Sequence, residues 1–264
     1  MSINTYQLLR NVGLSKPRII RMLPFAKACN FKVDSVVCPL GTKLQPWSHV
    51  LSGLVCASAP GKGGSFIPVN VYGPGSWFGE AAILNQQLST LEYICLTPAR
   101  VLNMPFAEVL DAFEQEPSFA RYIARMVNWR DQQHAEMLTL LRIGSPSQRV
   151  VVGLALLSEA LLSNASHLLG NELDDYLEIP LKHSLLASLC GVSRGVFSAC
   201  VKQLAQAGWL RVSYATLDLL HIKSWSRFSN AHRQSRHNFN KPSMQALLAI
   251  MQQAAMLEPQ WAVQ

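Results

Sequence analysis

The sequence predicts an α+β protein with an N-terminal antiparallel β-roll, one long helix and a C-terminal helical domain that ends in a small antiparallel wing. Residues 31–104 consist of short β-rich runs divided by Gly and Pro, the apolar period becomes helical after Pro105, and residues 181–213 carry two short amphipathic helices separated by a glycine. With 264 residues, 49% of them hydrophobic, the chain can build two domains with substantial cores.

The β-roll is predicted from four runs of residues that favour strands: "SVVCPL", "HVLSGLVCAS", "SFIPVNVY" and "LEYICLTPARVLNM". Between the last two, the stretch "GPGSWFGEAAIL" (residues 73–84) indicates a short strand that turns through glycines into one helical turn. Such a turn can hold a phosphate on its backbone amides.

One long helix is predicted from about Pro117 to Ile143. A polar run, "NWRDQQHAE", interrupts its apolar side, which comprises Phe119, Ile123, Met126, Met137, Leu140 and Leu141. A helix of this length packed only on its own small domain would be unusual, so half of the apolar stripe is expected to meet a second copy. The alternative is an ordinary amphipathic helix.

The stretch "GSPSQRV" predicts a domain boundary. Gly144 ends the long helix, Ser145 can cap the next one, and Pro146 suits the first helical position because its missing N–H would be unpaired there. The predicted domains are a β-roll with an N-terminal helical segment (1–116), the long helix (117–144), a second domain (145–228) and a basic C-terminal extension with a helix (229–264).

The second domain carries the most specific pattern in the chain, "IPLKHSLLASLCGVSRGVFSACVKQLAQAGWLRVS". Gly191 permits a sharp turn between two helices, and Ser193 caps the second helix, whose predicted inward residues are Val196, Phe197, Cys200, Val201 and Leu204. With the strand-like "WLRVS" and "LDLLHI" behind it, this pattern is typical of a winged helix-turn-helix.

In a helix-turn-helix the second helix enters the DNA major groove. Arg194 can pair with guanine O6 and N7, whereas Lys202, Lys182 and Ser184 are better placed for phosphates. The predicted DNA-binding residues are Lys182, Ser184, Ser193, Arg194, Gly195, Ser198 and Lys202. The alternative is a helix hairpin whose arginine is merely solvated.

The charge is concentrated in this part of the chain. The net charge is +7, and residues 179–241 contain nine Lys or Arg against one acid, Asp218, which gives +8. The rest is close to neutral, as expected if one end of the protein meets a polyanion. The alternative is a solvated basic face.

Other classes of protein receive little support. No apolar run is long enough to span a membrane and no signal-peptide order is present, so a cytoplasmic protein is expected. The six cysteines lack zinc spacing and are predicted to be reduced and mostly buried. No nucleophile elbow, metal-ligand spacing or acid pair is present, so an enzyme is not predicted.

Together these motifs resemble the cyclic-AMP receptor protein and fumarate-nitrate regulator (CRP/FNR) superfamily over about residues 31–228. The matching stretches, in order, are "LGTKL" (40–44), "LSGLV" (51–55), "PGSWFGEAAIL" (74–84), "SPSQRV" (145–150) and "CGVSRGVFSACVKQLAQAGWL" (190–210). The resemblance implies a homodimeric transcription regulator that dimerises through residues 117–143. It also implies double-stranded DNA and RNA polymerase as partners, and an effector in a cyclic-nucleotide-binding-like β-roll.

The resemblance also places an effector pocket at Gly79, Glu80, Ala81, Thr90, Leu91 and His134. Gly79 and Glu80 match the family's phosphate-binding glycine and ribose-binding glutamate, but the family's phosphate-binding arginine and its neighbour fall on Thr90 and Leu91. A phosphate facing Glu80 without a cation would be poorly stabilised. Control by cyclic AMP through the usual phosphate–arginine contact is therefore not expected.

Several effector classes stay open. Response to cyclic AMP or cyclic di-GMP is one alternative, and haem bound by His49 or His134 is another; Cys29 and Cys38 alone do not reproduce the family's iron–sulphur cluster. An apolar effector, or none, is preferred. No cofactor is predicted, and the effector is not identified.

The recognition helix and the C-terminus depart from the family. Only Arg194 carries over, because Gly195 and Ala199 stand where relatives often have Glu and a second Arg. In the extension, "NAHRQSRHNFNK" has no regular apolar period and is interpreted as a DNA-flanking arm, followed by a helix with Met244, Leu247, Leu248 and Met251 on one face. The alternative is a partly ordered extension.

Overall fold

The computed structural model describes residues 4–43, 45–61, 66–165, 175–213, 216–234 and 241–256. The chain forms two compact units, one of residues 1–133 with 160–170 and one of residues 134–159 with 171–264. The long helix contributes to both units. The domain bounds drawn from the sequence stay predictions.

The first unit begins with two short helices, α1 (Thr5–Asn11) and α2 (Lys16–Met22), followed by a 3-10 turn (Leu23–Phe25). The side chain of Asn4 caps α1 by accepting a hydrogen bond from the backbone N–H of Tyr6 at 3.0 Å. Arg18 of α2 pairs with Asp111 and Glu116 further along the chain, which ties the N-terminal helices to the rest of the unit.

Two four-stranded antiparallel sheets form the β-roll, which confirms the predicted fold class. The strands are β1 (Lys27–Phe31), β2 (Val36–Cys38), β3 (Trp47–Ser52), β4 (Val55–Pro60), β5 (Phe66–Tyr72), β6 (Trp77–Phe78), β7 (Glu92–Cys95) and β8 (Ala99–Met104). Their order is β1-β8-β3-β6 in one sheet and β2-β7-β4-β5 in the other. The short helix α3 (Glu80–Asn85) follows β6.

Two further helices follow the β-roll: α4 (Phe106–Gln115) and the long α5 (Pro117–Ile143). The first turns of α5 bury Phe119 and Ile123 in a core shared with the N-terminal helices and with β3 and β6. At its centre the rings of Trp47 and Trp77 are stacked with centroids 3.7 Å apart. The N-terminal part of α5 is thereby fixed to the β-roll.

The second unit contains the predicted winged helix-turn-helix. Helix α6 (Pro146–Ala165) precedes it, followed by β9 (Tyr176–Ile179), α7 (His183–Leu189), α8 (Arg194–Gln206), β10 (Leu210–Ser213) and β11 (Thr216–Leu220). The strands form an antiparallel sheet in the order β10-β11-β9. Strand β9 was not expected from the sequence.

Two helices, α9 (Ile222–Gln234) and α10 (Met244–Met256), complete the second unit. The first of them corrects the sequence interpretation, because residues 230–234 continue α9 instead of starting an irregular arm. Residues 235–240 of that predicted arm lie outside the described residues. Helix α10 buries Met244, Leu247, Met251 and Ala254 and packs mainly on α9.

No single helix of the described ranges is long and apolar enough to cross a membrane. The pair α7 and α8 has the required length and composition only when taken together, and it is bent by 100°.

Candidate nucleic-acid interface and effector pocket

Helix α8 lies where the sequence places the recognition helix. The hydroxyl oxygen of Ser193 accepts a hydrogen bond from the backbone N–H of Val196 at 3.3 Å, so Ser193 caps the helix as predicted. The turn before it requires a backbone that L-residues rarely adopt, since Gly191 has φ +63°. A sharp turn and a capped start therefore fix where α8 begins.

The two faces of α8 differ in burial. Phe197, Cys200, Val201 and Leu204 are buried, whereas Arg194, Gly195, Ser198 and Lys202 are exposed. Lys182, which precedes α7, and Ser184 in its first turn are also exposed. All the side chains that the sequence assigned to DNA are thus at the surface, together with the capping Ser193. Their contacts with DNA stay a prediction.

The basic residues of this region fall into two groups. Within the described part of the chain, Lys182, Arg194 and Lys202 have no ion-pair partner. Arg211 instead pairs with buried Asp218, its Nε 2.9 Å from Oδ2, and Arg233 pairs with two glutamates. Because Glu136 and Glu159 lie outside residues 179–241, the +8 counted from the sequence overstates the charge available to a polyanion by including the paired Arg233.

The turn before α3 keeps the glycine that the family pattern requires. Gly79 has φ +95°, and a Cβ at this position would lie 2.5 Å from the carbonyl oxygen of Pro46. No other residue fits such a position without strain. Glu80 follows as the first residue of α3, so the two residues carried over from the resemblance are adjacent at the turn.

An arginine that the sequence analysis missed lies beside Glu80. Arg130 of α5 donates hydrogen bonds to Glu80 Oε1 and to the carbonyl oxygen of Trp77, and its guanidinium carbon lies 5.2 Å from the ring centroid of Tyr72. Burial opposes its charge, but Glu80 outweighs burial and raises the pKa of Arg130. The sequence analysis considered a cation only at residues 90 and 91 and did not anticipate this arginine from α5.

A sequence signal for Arg130 existed in the spacing of α5. Arg130 follows the buried Ile123 by seven residues, so it continues the inward face of the helix. The polar run "NWRDQQHAE" hid this signal because an inward arginine resembles an interruption of the apolar stripe.

The positions matched to the family's arginine and its neighbour carry no charge. Thr90 is exposed, and Leu91 is partly buried against the β-roll core. Ala81 is exposed on α3. A phosphate at this turn would thus find no cation at residues 90 and 91, and the charge of Arg130 is already engaged by Glu80.

Unpartnered polar atoms remain near the pair. Glu80 Oε2 and Gln45 Nε2 are buried without a hydrogen-bond partner among the described residues. Burial raises the pKa of Tyr72 to about 12, so its hydroxyl stays protonated near neutral pH. The paired charge of Arg130 and Glu80 thus lies beside hydrogen-bonding atoms that have no partner among the described residues.

The two histidines considered as haem ligands lie in different settings. His49 is buried against the Trp77 ring, 4.5 Å between centroids, and burial lowers its pKa to about 3. Its Nδ1 lies 3.2 Å from the carbonyl oxygen of Val50. His134 is exposed on α5 and belongs to the second unit. The packing of His49 thus does not favour haem ligation.

The cysteines behave as buried thiols. All six are free, five are buried, and Cys29 is partly buried. Burial raises the pKa of Cys190 to about 12. Among the residues that the structure describes, no group of three or more His, Cys, Asp or Glu is placed to hold a metal ion.

The chain resembles one known domain family and a known transcriptional regulator. Residues 29–116 match the family model of the cyclic nucleotide-binding domain. The transcriptional regulator SdrP of Thermus thermophilus is 23% identical over 188 residues, which cover 71% of this chain and 86% of that protein.

Three solved structures share the fold at low sequence identity. A CRP/FNR-family transcriptional regulator from Thermus thermophilus is 21% identical with a TM-score of 0.56, covering 77% of this chain and 98% of its own. FixK2 from Bradyrhizobium japonicum is 17% identical with a TM-score of 0.62, covering 83% and 98%. The c-di-GMP responsive global regulator CLP of Xanthomonas campestris is 17% identical with a TM-score of 0.57, covering 78% and 99%.

These findings confirm the resemblance that the motifs indicated. Residues 29–116 match the cyclic nucleotide-binding domain family, and 77% of the chain shares the fold of a solved CRP/FNR-family transcriptional regulator.

Proposed function

We propose that the chain is a homodimeric, sequence-specific DNA-binding transcription regulator of the CRP/FNR type. Its DNA binding does not depend on cyclic AMP held through a phosphate–arginine contact. Duplex DNA and RNA polymerase are its partners, and it acts in the cytoplasm.

The exposed face of α8 carries this proposal. Arg194 stands in the first turn of the capped helix, and Lys202 lies two turns further on the same face; neither has an ion-pair partner within the described ranges. An unpaired arginine at this end of a helix can donate two bonds to guanine, while the lysine suits a phosphate. Gly195 and Ser198 between them are small and let the helix approach the bases.

Helix α5 supports a dimer through residues 117–143. Ala124, Ala135 and Leu138 are exposed and recur along one line of the helix, with the Leu138 side chain 53% exposed. Small and apolar residues on one line are what a second parallel helix covers. Two recognition helices would then meet successive major grooves on one side of the duplex.

The pair Arg130–Glu80 supports binding without a nucleotide. A cyclic phosphate could recruit Arg130 only by taking it from Glu80, which would leave that carboxylate largely buried and unpaired. Removing one partner of such a pair costs about 3–5 kcal/mol. Arg130 of the long helix thus already neutralises Glu80, and no bound ligand is needed to do so.

The test of DNA binding begins with selection of preferred duplexes from a randomised library, followed by affinity measurement on the selected and a scrambled duplex. We expect Arg194→Ala to reduce the preference for the selected sequence by about 5- to 100-fold, the equivalent of one bidentate base contact. Arg142→Ala is the matched control, because it removes an exposed arginine outside the helix-turn-helix. Equal sequence preference in both variants would refute the role of Arg194.

A second candidate is regulation by a cyclic nucleotide. The strained Gly79 turn is retained, Arg130 places a cation beside it, and Glu80 Oε2 and Gln45 Nε2 have no partner among the described residues. The regulator CLP, which shares the fold, is described as c-di-GMP responsive. Titration with cyclic AMP and cyclic di-GMP, in which calorimetric heat and DNA affinity are both measured, separates the two candidates. Heat of nucleotide binding with a change in DNA affinity favours regulation by a cyclic nucleotide. DNA binding with no heat of nucleotide binding favours a regulator that acts without one.

A further inference from the structure

Helix α9 ends in two basic side chains that contact the buried Glu136 and the partly buried Glu159. His232 Nδ1 lies 3.3 Å from Glu136 Oε1, Arg233 Nε donates to Glu136 Oε2 at 3.0 Å, and Arg233 also pairs with Glu159. Glu136 belongs to the C-terminal part of α5 and Glu159 to α6. We call these four residues the C-terminal brace. It connects the end of α9 to both helices that flank the joint at residues 144–145.

The charges of the brace range from buried, at Glu136, to partly exposed, at Arg233. Glu136 is 3% exposed, and although burial opposes its charge, the bonds from His232 and Arg233 lower its pKa. Burial likewise opposes the charge of Arg233, whose pKa the two glutamates nevertheless raise. The planar guanidinium meets Glu136 with Nε and Glu159 with Nη2 in one fixed geometry, whereas a lysine ammonium offers only a single nitrogen on a flexible stem.

The joint itself receives two further contacts. The Ser145 hydroxyl donates to the carbonyl oxygen of Pro242 at 3.1 Å, so residues just before α10 also meet it. Arg149 of α6 donates from Nε to the carbonyl oxygens of Leu140 and Gly144, and from Nη1 to that of Gly191 at 3.3 Å. Because Gly191 is the turn before the recognition helix, the joint between α5 and α6 is fastened to the helix-turn-helix.

Helix α10 keeps α9 in place. Its buried face packs mainly on α9, with a smaller contact to α8, and Arg227 of α9 donates to the carbonyl oxygen of Ala255 at 3.0 Å near the end of α10. The extension beyond the wing is therefore part of the second unit's own packing.

We propose that Arg233 and His232 are positioning residues for DNA recognition. By fixing the joint between α5 and α6, they set the distance between the two recognition helices of a dimer. The inference rests on the proposed function, since it requires a dimer that binds two half-sites. No base or phosphate contact is assigned to either residue.

The separation of half-sites is the readout that tests this. The probe is a palindromic duplex selected with the wild-type protein, resynthesised with half-site centres about 8 to 14 base pairs apart. We expect the wild type to prefer one spacing, and Arg233→Gln to flatten that preference by about tenfold or more, because Glu136 and Glu159 lose their shared cation. Lys223→Gln, an exposed neutralisation on the same helix, should keep the wild-type profile.

Arg233→Lys serves as the conservative variant, and also as the test variant if Arg233→Gln does not fold. A lysine keeps the charge but lacks the fixed fork in which Nε meets Glu136 and Nη2 meets Glu159, so its profile should fall between the wild type and the glutamine variant. A variant that binds more weakly at every spacing, with the preference unchanged, would overturn the proposal by showing that the brace only stabilises the fold. Absence of any sequence-selective duplex binding by the wild type would instead refute the proposed function.

Discussion

Replacement of Arg130 should lower the free energy of unfolding of the first unit much more than replacement of an exposed arginine. In Arg130→Met the Glu80 carboxylate loses its partner while staying largely buried, since the two side chains are only 9% and 14% exposed. The carbonyl oxygen of Trp77 loses its donor as well. Because so little solvent reaches the pair, the usual weakening of surface ion pairs does not apply.

The expected loss is about 3–5 kcal/mol in the free energy of unfolding, the cost of leaving one charge of a buried pair unpaired. For a chain of this size that corresponds to a fall in Tm of roughly 6–20 °C. The double variant Arg130→Met/Glu80→Gln should recover most of the loss, because both charges are then gone.

The assay is urea unfolding followed by far-UV circular dichroism, with Arg125→Met as the matched control. Arg125 is exposed on the same helix and has no ion-pair partner within the described ranges. The control should change stability by about 0.5 kcal/mol or less. Equal losses for the two arginines, or a double variant less stable than Arg130→Met, would refute the account of this pair.

Three further outcomes are expected. Gly79→Ala should lower the thermal stability more than Gly41→Ala. Both glycines have positive φ, so an alanine at either position costs about 1–3 kcal/mol of backbone strain, but only at Gly79 does the new Cβ lie 2.5 Å from a backbone oxygen. Equal losses of stability would contradict this close approach. Lys202→Ala should lower the slope of log affinity against log salt by about one, with sequence preference kept; an unchanged slope would remove Lys202 from the phosphate contacts. The pKa of Glu136 is lowered below 4.5 in the folded state, so its stabilising contribution is present above that pH and lost as the pH falls. Glu136→Gln should therefore flatten the decline of Tm between about pH 5 and pH 3, and a decline as steep as that of the wild type would count against the brace carrying this charge.

The parts of the fold that follow from local patterns were predictable. Gly and Pro punctuation marked the β-roll strands, the change of period marked α5, and Gly191 with Ser193 marked the helix-turn-helix. These patterns depend on residues close in sequence, so a single chain reveals them.

The site was less predictable because its decisive contacts join distant residues. Arg130 and Glu80 are 50 residues apart, and Arg233 lies 97 residues from Glu136. A count of charges assigned Arg211 and Arg233 to a polyanion-facing segment, although each is paired with acids of its own chain. Composition gives the number of charges, whereas tertiary packing decides which of them remain available.

The stacked Trp47 and Trp77 rings give the first unit an optical signature of its own. Two indoles 3.7 Å apart and 10° from parallel couple their electronic transitions and should produce a strong near-ultraviolet circular dichroism signal that depends on fixed packing. In the second unit Trp209 and Trp225 meet edge to face, 6.2 Å apart and at 87°. The two units thus carry indole pairs of different geometry, and each pair should lose its near-ultraviolet circular dichroism contribution when the packing of its own unit is lost.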